Sequence, residues 1–193
     1  DCRAAPIRAI GILVPKLDYY DVSFGGVREK NDESSKQASD NMVSAVKSLL
    51  EERGFAVTVI PREGAHKESL EEVVGLFDTI AWTHRATVQL AGANVFRHKA
   101  ASFDYSVGPV GDILDAYRVD ALLLIEGSGA GNSPFRTGGT TILVTLVDRS
   151  GALLWYEPYS KPQSGFTRRD LRELEDMREI MGTIFATMPT VTK

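Results

Sequence analysis

The residues that could do chemistry are few, and their spacing decides how each is read. Gly127-Ser128-Gly129-Ala130-Gly131-Asn132 has the composition of a loop that cradles phosphate. A dinucleotide fingerprint needs a glycine where Asn132 stands and a helix after it. Ser133-Pro134-Phe135 and then a β-prone run follow instead, and no phosphate-binding Lys-Ser/Thr pair accompanies the glycines. The stretch Gly127 to Gly139 therefore reads as a flexible connection between strands. A small-molecule or nucleotide-binding enzyme using that loop and Glu126 is the alternative. Ser128 lacks the flanking glycines of a nucleophile elbow, because Glu126 and Ala130 occupy those places.

His66, His84 and His98 have no paired spacing, which speaks against a metal centre. His84 falls beside the apolar stripe of a helix and reads as a partly buried packing residue. Arg97-His98-Lys99 reads as a solvated basic patch. Glu126 follows the apolar run Ala121 to Ile125. A buried carboxylate with a raised pKa can mark a catalytic group, but at a strand end it is expected to reach water or cap a backbone group. No constellation qualifies as catalytic, none suggests a metal site, and no cofactor is implied.

Cys2 stands alone, so no internal disulfide and no cysteine-based metal site can form. A cysteine near an N-terminus is either a surface thiol or a lipid attachment point, and Asp1 before it is unusual for the second role. Loop aromatics offer another kind of chemistry. Tyr19, Tyr20, Phe24, Phe96, Phe103, Tyr105 and Phe135 fall outside periodic segments. Such side chains either fold back over the core or carry binding energy to a partner.

Elements must position these residues. Ile7 to Val14 reads as a buried strand stopped by Pro15, and Lys16 to Glu33 as a long loop. A helix opens with the capping-box pair Ser34 and Gln37 and ends at Gly54. Phe55 to Ile60 is a strand closed by Pro61. Ser69 and Glu72 open a second amphipathic helix reaching toward Leu90, and Ala91 to Gly108 is irregular. Pro109 starts a short helix, Ala121 to Ile125 is a strand, and Thr140 to Val147 pairs with Ala152 to Tyr156 across the Asp148-Gly151 turn. Thr167 to Asp170 caps a final helix. The order β-α-β-α-α-β-β-β-α predicts an α/β fold, a mixed sheet with helices packed on it.

The 193 residues, 43% hydrophobic and 25% charged, suffice for one domain. Residues 1–6 read as a tether, 7–188 as the domain and 189–193 as a tail. A net charge of −4 with scattered cations argues against nucleic acid as a partner. No run approaches the roughly 18 apolar residues of a membrane span.

Leu49-Leu50-Glu51-Glu52-Arg53-Gly54-Phe55, Val119-Asp120-Ala121-Leu122-Leu123 and Val147-Asp148-Arg149-Ser150-Gly151-Ala152-Leu153-Leu154-Trp155 resemble segments of bacterial envelope lipoproteins. The likeness is to those of the curli-secretion and peptidoglycan-synthase-activator types, and to the N-terminal domain of the Tol-Pal translocation protein. It spans Ile7 to Met188. It implies an anticodon-binding-domain-like fold, export, a lipid on Cys2, and residence at the periplasmic face of the outer membrane. The membrane-inserting hairpins of a secretion pore are not recognisable. The chain is thus expected to be a non-catalytic envelope lipoprotein that binds a protein partner in envelope assembly or export. An oligomeric export component is a further alternative, so a homo-oligomer is possible. The partner surface is expected in the irregular segments, with Tyr20, Phe24, Phe96 and Arg97 as its anchors.

Overall fold

The computed structural model describes residues 6–84, 105–131, 138–163 and 169–189. Its elements are β1 (Ala9–Leu13), β2 (Lys16–Val22), β3 (Arg28–Lys30), α1 (Asp32–Glu52), β4 (Ala56–Ile60) and α2 (Lys67–His84). They continue with α3 (Gly111–Tyr117), β5 (Ala121–Gly131), β6 (Gly138–Val147), β7 (Leu153–Gln163) and α4 (Leu174–Phe185). This is the mixed α/β fold that the alternation of patterns predicts.

β5 organises the sheet. On one edge its first half pairs in parallel with β1, and its second half pairs in parallel with β2. On its other edge it pairs antiparallel with β6, which pairs antiparallel with β7. β4 lies parallel to β1, and the short β3 lies antiparallel to β2. β1 and β2 therefore run in the same direction along one long strand, interrupted at Val14-Pro15.

Helices cover both faces. On one face α1 and α4 bury Met42, Val46, Leu50, Met177, Met181 and Phe185 against Ile10, Ile12, Leu123, Ile125, Val144 and Trp155. On the other, α2 and α3 bury Leu70, Val73, Phe77, Ile113 and Leu114 against Leu13, Ile60, Leu122, Leu124 and Val147. Alternate residues of β5 thus serve two separate cores, which is why Ala121 to Ile125 is uniformly apolar rather than alternating.

Several local expectations need correction. Lys16 to Glu33 is not a loop: it forms β2, the β2–β3 hairpin and the first residues of α1. α1 begins before Ser34, because Asn31 is its N-cap and its Oδ1 accepts from the Ser34 N–H at 2.9 Å. Gly54, at φ +88°, closes that helix as expected. The final helix starts at Leu174, after the segment expected to cap it. Leu171 precedes the helix in a turn and is nevertheless buried.

The turn after β6 follows its sequence closely. Asp148 Oδ1 accepts from the N–H groups of Ser150 and Ala152, and Gly151 takes φ +79°. A Cβ at Gly151 would lie 1.7 Å from the Gly108 carbonyl oxygen, so only glycine fits where the two loops cross. β7 runs on to Gln163, beyond the expected Tyr156, with a bulge where Val147 faces Leu153 and Leu146 faces Trp155.

Candidate partner-binding site

The site begins with a hairpin. Tyr20, Asp21 and Val22 of β2 face Lys30, Glu29 and Arg28 of β3. Diagonal pairs stiffen this short ribbon. The Arg28 guanidinium lies 4.8 Å from the centre of the Tyr20 ring, and Lys30 Nζ lies 2.7 Å from Asp18 Oδ1. The Asn31 side-chain amide donates to Asp21 Oδ2 at 2.8 Å, tying the hairpin base to the cap of α1.

At the tip the chain closes on itself. The Ser23 N–H donates to the Val27 carbonyl at 2.9 Å, and the Gly26 N–H donates to the Ser23 carbonyl at 3.0 Å. The Val27 N–H donates to Ser23 Oγ at 3.2 Å, and Gly26 takes φ +78°. This closure leaves Phe24 75% exposed and Val27 59% exposed. A largely exposed aromatic ring on a tight, internally bonded turn is well placed for contact with a partner.

Of the expected anchors, Tyr20 and Phe24 lie on this one hairpin. They differ in setting: Tyr20 is half-buried in the stem under Arg28, while Phe24 lies at the tip and is largely exposed. Phe96, Arg97 and Cys2 lie outside the described residues. Val27 and Trp82, which is 72% exposed near the end of α2, carry exposed apolar surface that no sequence motif marks. Val27 was discoverable as an apolar residue directly after the Gly25-Gly26 turn.

The glycine-rich stretch is not a loop over its first half. Gly127 to Gly131 are the second half of β5, paired with β2 throughout and with β6 as far as Gly129, and residues 132–137 lie outside the described residues. A Cβ on Gly127 would meet the Thr141 carbonyl oxygen at 2.5 Å, and one on Gly129 would meet Leu171 Cδ1 at 2.6 Å. These glycines admit close neighbours on the sheet, and their backbone groups belong to the ladder rather than to a phosphate.

Glu126 is mid-strand rather than at a strand end. Its Oε1 accepts from the Arg62 guanidinium at 2.5 Å, and Arg62 Nε also donates to the Val14 carbonyl at 2.7 Å. Burial pushes the Glu126 carboxyl above the ordinary carboxylate range. Arg62 and Lys16 pull it back, and Asp78 adds to the rise. This pair holds the β4–α2 connection against the interruption between β1 and β2, a structural duty that accounts for its position. His84 packs edge-on against Tyr156, ring centres 5.1 Å apart, and burial lowers its pKa. It lies beside the apolar stripe of α2, as expected. Among the described residues, no cluster of His, Cys, Asp or Glu could hold a metal ion, and no helix is long and apolar enough to cross a membrane.

No family model matches the chain, and no curated protein matches it either. Solved structures do overlap with it at low identity. Lipoprotein GNA1162 from Neisseria meningitidis is 15% identical, with 94% of this chain and 98% of that one covered and a TM-score of 0.41. The PelC dodecamer from Paraburkholderia phytofirmans is 10% identical, covering 98% and 92%, at a TM-score of 0.43. The LpoB C-terminal domain from Salmonella enterica is 12% identical, covering 83% and 87%, at a TM-score of 0.30. The solved structures with which this chain overlaps thus include a bacterial lipoprotein, at identities too low to transfer residue roles.

Proposed function

We propose that this chain is a non-catalytic envelope lipoprotein that binds a protein partner in cell-envelope assembly or export. One α/β domain spanning residues 7–188 does the binding, and a lipid on Cys2 holds it to the periplasmic face of the outer membrane. The observation that carries the reading is the β2–β3 tip, where Phe24 and Val27 are presented to solvent on a closed turn. Interface energy concentrates in a few such anchors. The buried charge agrees with it, because Glu126 is engaged by Arg62, which also donates to the Val14 carbonyl. The resemblance of the three segments quoted above to envelope lipoproteins supplies the compartment.

The test is co-purification from detergent-solubilised envelopes with the acylated protein as bait. A protein retained by the wild type and lost from Phe24→Ala, at unchanged melting temperature, is the expected outcome. Retention of nothing above an unrelated acylated control would overturn the reading.

A further inference from the structure

We propose that the β2–β3 hairpin is a rigid plug that seats Phe24 and Val27 in an apolar pocket of a partner protein, and that lysine or arginine side chains rim that pocket. This rests on the partner-binding reading above and adds the partner's chemistry and its place relative to the anchor.

Rigidity comes first. The Ser23, Gly26 and Val27 N–H groups find acceptors inside the tip. Sinking the tip into an apolar pocket therefore strips fewer hydrogen bonds to water than an open loop would lose. The Arg28–Tyr20 stack, the Lys30–Asp18 ion pair and the Asn31–Asp21 hydrogen bond hold the stem before any partner arrives. A contact surface ordered in advance loses little conformational freedom on docking.

Charge then selects the occupant. Between residues 21 and 33 the chain carries Asp21, Glu29, Asp32 and Glu33 against Arg28 and Lys30. The Asp32 side chain is 93% exposed. A collar of this sign is repelled by an anionic bilayer surface and attracted by a basic rim. Geometry agrees. β1 and β2 run the same way along β5, so the tip lies at the end of the sheet opposite to the entry of the chain. Ala9 to Val22 covers about 40 Å of extended backbone at roughly 3.3 Å per residue. With the lipid on Cys2 proposed above, the anchor would join the chain at the end of the sheet opposite to the tip.

The experiment replaces Phe24 by a photoreactive benzophenone amino acid in the full acylated chain, irradiates intact envelopes, and maps the adduct by mass spectrometry. The expected product is one discrete adduct to another protein, on a peptide whose neighbourhood is apolar and carries Lys or Arg. Its yield should fall at least ~10-fold in a background with Glu29→Lys and Asp32→Lys, as loss of a complementary charge pair requires. With the adduct partner purified, Phe24→Ala should weaken binding ~30-fold or more, as for a central anchor. An adduct to lipid, to a second copy of this chain, or to a peptide without cations would overturn the plug. So would absence of an adduct while the wild type still retains a partner in co-purification, and in that case partner binding itself would stand. Retention of no partner by any route would remove both.

Discussion

Arg62 and Glu126, far apart in sequence, meet at 2.5 Å across the interruption between β1 and β2. The guanidinium spans three pieces of chain, since it binds the Val14 carbonyl as well. Their side chains are 27% and 16% exposed, so the pair is largely but not fully withdrawn from water.

Removing one partner leaves the other with unmet charge. Arg62→Met should cost about 1–3 kcal/mol, below the fully buried limit because water still reaches the pair. Glu126→Gln keeps an acceptor for Arg62 and should cost less. Urea unfolding of the two variants checks the order.

The same pair sets a pH dependence. Burial raises the folded-state pKa of Glu126 above its unfolded value, so its contribution favours folding at low pH and is lost as pH rises through the raised value. Arg62→Met removes a charge that lowers this pKa, so its stability deficit should widen from acid toward neutral pH. Glu126→Gln should abolish that part of the slope. Melting temperatures between the ordinary carboxylate range and neutrality measure it. A deficit for Arg62→Met that stays constant with pH would refute the coupling.

The glycines of β5 should respond according to what their new methyl meets. At Gly127 it is a backbone carbonyl of β6, which cannot yield, whereas at Gly129 it is the end of the Leu171 side chain. Gly127→Ala should destabilise by about 1–3 kcal/mol, and Gly129→Ala by less. A phosphate loop would behave differently, losing ligand without losing stability. Thermal melts with and without nucleotide separate the two.

Trp155 should be a packing residue. It is buried against Phe185, ring centres 5.9 Å apart, and its indole N–H donates to Thr187 Oγ1 at 3.2 Å. Trp155→Ala should cost about 3–5 kcal/mol. Trp155→Phe, which keeps most of the volume, should cost less. Denaturation midpoints at unchanged slope are the readout.

Cys2 should decide membrane association. Two or more acyl chains anchor firmly where a single one binds only marginally, so Cys2→Ser should release the protein almost completely. Fractionation of cells fed labelled fatty acid measures both attachment and release. Equal membrane recovery of the two forms would sink the anchor.

How much of this molecule was legible without its fold depends on how local each feature is. α1, α2 and α4 follow from apolar periodicity, because a helix must turn one stripe to the core whatever its neighbours. The Asp148-Gly151 turn follows from a side chain bonding its own backbone and a glycine at positive φ. β2 does not follow. Lys16 to Val22 sets its two buried residues, Leu17 and Tyr19, among charges without the apolar run of a fully buried strand, and it becomes a strand because β5 offers it an edge. Gly127 to Gly131 have low intrinsic β preference, and they are extended because the ladder with β2, joined by that with β6 as far as Gly129, takes up their backbone groups. The same holds for the site. Its residue types could be named from composition, with Tyr20 and Phe24 among the loop aromatics. Only the pairing of β2 with β3 put Tyr20 in a stem and Phe24 at a tip. Backbone hydrogen bonds between distant segments carry no sequence signature, and here they decide which aromatic meets water.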